Sequence, residues 1–492
     1  MVKWSALFRR TLIVMLLAGA GVACGSGDPD ARRALDGGED AGAPDAPGED
    51  ASHDGSPDDP DTDTSVDDAG DEVDADADDP DDPEDPEDPE DPETPGAVDC
   101  APLPESGGTI VEVDASMAGQ LPQLVRQAQA NTTFVLAAGT YELTETLHIR
   151  AEGVTLRSAG DDAESVVIDG GYNVNSLVFI NASNATLAHL TLRRALHHPI
   201  HVTPTGDASE NLLGTRIYGV HIVDGAQQFI KINPNGARSA FVDDGLVACS
   251  RFELTDAGRP RVDRSGTGCY TGGVDGHAAR GWVVRDNHFK DIYCAGEGLA
   301  EHAVHFWSAS RDTVVERNLI ENCARGVGFG LSQSGGDRNY ADDPHPEVEG
   351  YMGHIDGMIR NNIIVADIDY YDTGIELAQA HGVRVLHNTI YDADAANRFS
   401  SIDYRFPNTS AEIRNNLVGR ITRRNEAAGE VETNLEGVGA ALFEDAFGLD
   451  FHLGASATAA IDQGDVVEDA GLDIDGEPHE KGAAPDIGAD ER

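Results

Sequence analysis

Lysine is nearly missing from this chain. The only lysines are Lys3, Lys231, Lys290 and Lys481, and 89 acidic residues stand against 34 Lys and Arg for a formal net charge of −55. So acidic a surface excludes nucleic acid as a partner through charge attraction, and it excludes adhesion to anionic lipid on the same ground. Neutral glycans, cations and cation-bridged acidic glycans remain open. Long apolar runs are also lacking. The longest, TLIVMLLAGA over 11–20, is too short to span a bilayer and follows a basic start, the pattern of an export signal. No CxxC spacing supports a zinc site. Six cysteines are present, and with Cys24 set aside the remaining five leave at least one of Cys100, Cys249, Cys269, Cys294 and Cys323 unpaired. Cys269, Cys294 and Cys323 fall in successive repeats, and the spacing does not fix which of them pair.

Hydrophobic and aromatic residues are scarce between 25 and 98. Residues 28–98 hold 30 acids and 2 bases around the core PEDPEDPEDPE. Such a segment has nothing to bury that would offset the entropy of folding, so an extended, disordered linker is expected there.

What the chain does have is a ladder. In VVRDNHF, VVERNLI, MIRNNII, RVLHNTI and EIRNNLV, Asn287, Asn318, Asn362, Asn388 and Asn416 hold equivalent places at steps of 31, 44, 26 and 28 residues. Leu190, Val220 and Ser250 occupy the same place in weaker upstream copies. A strand-turn-strand motif that recurs at variable intervals predicts stacked coils with insertions looping out, each coil rising roughly 4.8 Å. Asn at one inward turn of successive coils can pass amide hydrogen bonds along the stack, so these residues read as structural.

Three resemblances sharpen this reading. GVAC ending at Cys24 resembles the lipobox of bacterial lipoproteins, with Gly21 where that family usually has Leu. It implies a signal peptide over 1–24 and lipidation at Cys24, and Gly25 after it implies the outer membrane or cell surface, with the lipid as the only membrane contact. MAGQLPQLVRQAQA (117–130), followed by TFVLAAGTYELTETLHIRAEGVTLRSAG, resembles the start of pectate-lyase-like proteins. That implies an all-β right-handed parallel β-helix with an N-terminal helical cap, here over 99–440. The blocks DFHL, AAIDQGD and DIGADE resemble the C-terminal module of exported bacterial β-helix proteins and imply a capping module over 441–492.

Counting back from the ladder locates a candidate surface. The preceding strands align as PIHVTP, FIKINP, GVDGHA, AVHFWS, GVGFGL, GIELAQ and SIDYRF. Alternation then sends His201, Lys231, Asp275, His305, Gly328, Glu376 and Asp403 outward in one column. A second column holds Thr203, Asn233, His277, Trp307, Gly330, Ala378 and Arg405. In the pectate-lyase-like family this face forms the polysaccharide groove, so the resemblance implies a polysaccharide partner bound by His201, Asn233, His277, Trp307, Glu376, Asp403 and Arg405. A solvated polar face is the alternative.

For β-elimination from a uronic-acid chain, a base removes a proton while a cation neutralises the carboxylate. Lys231 as base, Asp275 as its electrostatic partner and His305 as acid or base are the expected catalytic set, with calcium on Asp275 and Glu376 as the candidate cofactor; the plain alternative for Lys231 is balance of nearby acids. Glu376 and Asp403, roughly 5 Å apart in adjacent coils, would instead suit a retaining glycoside hydrolase. The Arg-x-Lys block of β-helix polygalacturonases is absent. A non-catalytic surface or adhesion module is the third reading. The acidic insertion 335–357 is expected to be a solvated or calcium-ordered loop.

Overall fold

A computed structural model describes Cys100 and residues 103–492 apart from 105–106, 266–267, 297, 333–337 and 395–397. The leader, Cys24 and the acidic linker lie outside the described residues. Three long parallel sheets of 14, 11 and 10 strands wind through the chain, and each strand pairs with its counterpart in the next coil. The result is the parallel β-helix expected from the repeat. No helix among the described residues is long and apolar enough to cross a membrane.

Why the chain turns where it does is visible at the ladder. The residue before each ladder position takes a left-handed conformation: His189, Gly219, Cys249, Asp286, Arg317, Asn361, His387, Asn415 and Thr433 all have φ between 49° and 58°. One αL residue rotates the chain into the next sheet and turns the following side chain inward. There Asn318 Nδ2 donates to Asn362 Oδ1 at 2.9 Å, Asn362 Nδ2 to Asn388 Oδ1 at 2.9 Å and Asn388 Nδ2 to Asn416 Oδ1 at 2.9 Å. The backbone N–H of each Asn donates to the same oxygen. The ladder is one rung longer than the sequence pattern shows. Asn416 Nδ2 donates to Asn434 Oδ1, and at the other end Ser250 N donates to Asn287 Oδ1.

Inside the coils, inward positions stack like on like. Val178, Ile200, Ile230, Val274, Val304, Val327, Ile375 and Ile402 form one fully buried column, and Phe252 lies flat on Phe289 at 4.4 Å. Each deletion there would cost a few kcal/mol through the cavity left behind.

The ends differ from expectation in detail. The cap is a short 3-10 turn, Ala115–Gln120, running into an α-helix of only six residues, Leu121–Arg126, because the chain then turns back to enter the strand Thr132–Leu136. Two disulfides are present among the described residues. Cys269 pairs with Cys294, and Cys100 pairs with Cys249 at a sequence separation of 149, leaving Cys323 as a buried thiol. The C-terminal segment lies along the flank of the 11-stranded sheet. Phe443, Phe451, Leu453, Ile474 and Ile487 pack with Leu319, Ile363, Val365 and Leu417 in a second core.

The described part of the insertion is tied down by arginines and by a histidine–aspartate contact. Asp342 pairs with Arg280 at 3.0 Å and Arg311 at 3.2 Å, Arg338 grips Asp243 with two 2.6 Å hydrogen bonds, and His345 meets Asp356 at 2.7 Å.

Candidate functional site

The 10-stranded sheet carries the column located by counting. His201, Lys231, Asp275, His305, Gly328, Glu376 and Asp403 are partners in consecutive strands. The same register extends upward through Phe179 to His148 and downward to Thr422. Those additions were open to the same alternation argument: Thr422 stands 12 residues before Asn434, and of these only the coils of His148 and Phe179 have no ladder Asn to count from.

Burial is where the expectation of a solvent-facing column fails. Relative exposure is 4 % for Lys231, 3 % for Asp275, 1 % for His305 and Glu376, and 0 % for Asp403. These side chains leave the core but are covered by the longer second column and pair with it. Lys231 Nζ lies 2.5 Å from Asp275 Oδ2, 3.0 Å from His277 Nε2 and 3.3 Å from the Tyr270 hydroxyl. Trp307 Nε1 donates to Asp275 Oδ1 at 3.0 Å. Burial opposes charge on Asp275, but Lys231 and His277 overcome it and hold the carboxyl well below its usual range. Burial and the Lys231 charge act the other way on the neighbouring rings. They push His201 down to about 3 and lower His277, so both stay neutral.

An ion pair this close favours the ammonium form of Lys231. That opposes the expected role of Lys231 as a base in this arrangement.

The lower coils form a separate group. Arg405 binds Glu376, and Arg424 binds Asp403 through hydrogen bonds of 2.9 and 2.6 Å. A sugar cannot reach either carboxylate without displacing an arginine, which counts against the retaining-hydrolase reading. Asp275 and Glu376 do not converge either. They stand three coils apart, roughly 14 Å at the strand spacing, and each is occupied by a cationic partner. The residues present do not fit a calcium cage of several oxygens at 2.3–2.6 Å.

Gly328 leaves a gap in the column, and a ring from the preceding coil fills it. A Cβ at Gly328 would lie 2.7 Å from Cε1 and Nε2 of His302. His302 opens its strand, His302–Trp307, with its ring turned onto the outer side, 4.6 Å from the His305 ring. Glu301, His302 and His305 each offer a donor atom within 4.8 Å of the others. Sequence spacing gave no hint of this, because His302 and His305 fall on opposite faces of a regular strand.

Half-buried rings remain on the accessible surface. His148 lies 5.6 Å from Phe179, Phe179 4.8 Å from His201, and His277 4.3 Å from Trp307. Asn233 Nδ2 meets His201 Nε2 at 3.3 Å between the two ring groups.

No family model matches the chain, and a comparison with curated proteins finds no match. Among solved structures the chain is similar to pectate lyase Pel9A, at 14% identity over 79% of this chain and 97% of that one, with a TM-score of 0.51. A rhamnogalacturonan lyase matches at 11% identity over 69% and 91%, with a TM-score of 0.43. An alginate lyase from Paenibacillus sp. str. FPU-7 matches at 12% over 60% and 97%, with a TM-score of 0.38. With the parallel sheets, the first of these defines the fold as a right-handed β-helix of the pectate-lyase-like kind.

Proposed function

We propose that this protein binds a polysaccharide along the outer face of its 10-stranded sheet. The observation that carries the reading is the track of half-buried rings from His148 through Phe179 and His201 to His277 and Trp307. The apolar faces of sugar rings pack on such surfaces, while Asn233 and Arg405 offer donors to hydroxyl and carboxylate groups. A pocket lined by Arg126, Glu145, His148 and Asn173 continues the face at its upper end. That the fold is similar to that of pectate lyase Pel9A is consistent with such a ligand. Affinity electrophoresis of the full chain in gels containing pectate, alginate or a glycosaminoglycan tests this. Retardation by at least one is expected, and migration unchanged in all of them would remove the proposal.

One observation favours β-elimination as a second reading. Lys231, Tyr270, Asp275 and His277 form a compact polar group beside Trp307, with an ammonium to neutralise a uronate and a neutral imidazole to take a proton. In this reading His277 is the base, Lys231 the neutralising cation and Asp275 its anchor. Unsaturated product absorbing at about 235 nm, formed in the presence of chelator and abolished by His277→Ala, is the expected result. Absence of product from every uronan, with binding retained, leaves an adhesion module.

We also propose export and lipid anchoring at Cys24, on the strength of the GVAC block. Mass spectrometry of the mature N-terminus should find a diacylated Cys24, and an unmodified cysteine there would refute the anchor.

A further inference from the structure

The geometry points to a binding site for a divalent first-row transition ion, zinc in type, held by Glu301, His302 and His305 beside the ring of Trp307. This inference is independent of the glycan reading.

The first observation is an orphan. His302 is 1 % exposed, and neither of its ring nitrogens has a hydrogen-bond partner among the described residues. Leaving buried polar atoms unpaired costs about 1–3 kcal/mol each, so a histidine used only to fill the gap above Gly328 would be a poor choice beside leucine or phenylalanine. A bound cation would satisfy one nitrogen.

The second observation is the orientation of His305. Its Nε2 lies 3.0 Å from the backbone oxygen of Gly330. That carbonyl can only accept, so the proton sits on Nε2 and the lone pair of Nδ1 points at the cluster. Metal-binding histidines are oriented in this way by a carbonyl or carboxylate on the far nitrogen. Nδ1 in turn lies 3.7 Å from Glu301 Oε2 and 3.8 Å from Asp275 Oδ1. Donors around a tetrahedral ion with bonds of roughly 2.0–2.1 Å stand roughly 3.3 Å apart, so small side-chain rotations close the set. Arg325 donates to the same Glu301 oxygen at 3.2 Å and acts as the partner that ligating carboxylates usually have.

Two imidazoles and one carboxylate select against calcium and magnesium, which take oxygen ligands, and for zinc, cobalt, nickel or copper. The fourth position would face Asp275.

Cobalt(II) is a suitable probe, because a low-coordinate cobalt site with nitrogen ligands absorbs strongly in the visible range. His345 with His381, and His452 with Asp475, are other clusters that can take a metal. The reference is therefore the full chain in detergent carrying His345→Ala and His452→Ala, stripped with chelator. It should bind one equivalent of cobalt with a visible band that zinc displaces. His302→Leu, which keeps the packing, and Glu301→Gln should each weaken binding by about 100-fold or more while the melting transition stays cooperative. A reference that binds no cobalt, or a His302→Leu variant that binds it as tightly, overturns the proposal. Should His302→Leu not fold, the Glu301→Gln titration and the spectrum of the reference decide the matter.

Discussion

Two polar columns run along this solenoid, the ladder only from Ser250 to Asn434, and they solve the problem of burying polar groups in opposite ways. The asparagine ladder repeats one side chain, so that each amide between its two ends donates and accepts within the column. The column on the 10-stranded sheet changes identity at every coil and is satisfied only piecewise, by Asp275 for Lys231, Arg405 for Glu376 and Arg424 for Asp403. Uniformity marks a scaffold. Variety that leaves gaps and orphans, as at Gly328 and His302, marks a surface shaped for something besides folding.

The sharpest way to break this comparison is to interrupt the ladder. Asn362 donates to Val315 O, Arg360 O and Asn388 Oδ1 and accepts from Asn318. Asn362→Ala orphans two or three buried groups at ~1–3 kcal/mol each, so a loss of about 4–6 kcal/mol is expected by denaturant titration. A loss below about 1 kcal/mol would show the ladder to be ornamental.

The varied column should respond differently. Asp275→Leu strands the buried Lys231 ammonium and should cost about 3–5 kcal/mol, whereas adding Lys231→Met restores most of it. No rescue in the double variant would mean that Asp275 stabilises through Trp307 and not through charge.

A third effect tests whether the ladder, made of amides that do not titrate, is nonetheless pH-sensitive at its flank. His387 precedes Asn388, and its ring lies tilted against that of His479 of the C-terminal segment, 4.1 Å between centroids. Burial pushes His387 down to about 3 and His479 to about 4. Folding keeps both neutral, while the unfolded chain takes up protons below about 6.5. Their stabilisation is therefore complete above that pH and lost as pH falls toward 4, on the order of a few kcal/mol. Thermal melts between pH 7 and 4 should show the drop, and His387→Phe should flatten it.

The smallest effect belongs to the accessible rings. Trp307→Ala should weaken glycan retention about tenfold, or about 1.4 kcal/mol, with less change in stability than either column variant above. Equal retention would move the ligand off this face.

The register of both columns was legible in the sequence, because one αL turn recurs from coil to coil and an inward Asn follows it from Asn287 onward. Counting back 12 or 13 residues from the ladder placed Asp275, His305, Glu376 and Asp403 in line. Their burial was not legible, since it depends on which second-column side chains and loops lie over them. Tyr270 reaches Lys231 from a connecting segment that no repeat predicts. Asn434 escaped notice because its coil takes only 18 residues. His302 escaped because strand alternation assigns it to the core, and only the missing Cβ of Gly328 makes its outward turn possible.

The disulfide between Cys100 and Cys249 bears on how this molecule meets force. Cys249 follows the sixth strand of the 14-stranded sheet, Leu246–Ala248. Tension applied to the chain ahead of Cys100 therefore passes through the bridge into the middle of the solenoid. The first five strands of that sheet, from Thr109–Val113 to Arg216–Tyr218, are bypassed and not peeled away one by one. Under reducing conditions the same pull would start at the terminal coil and unzip inward.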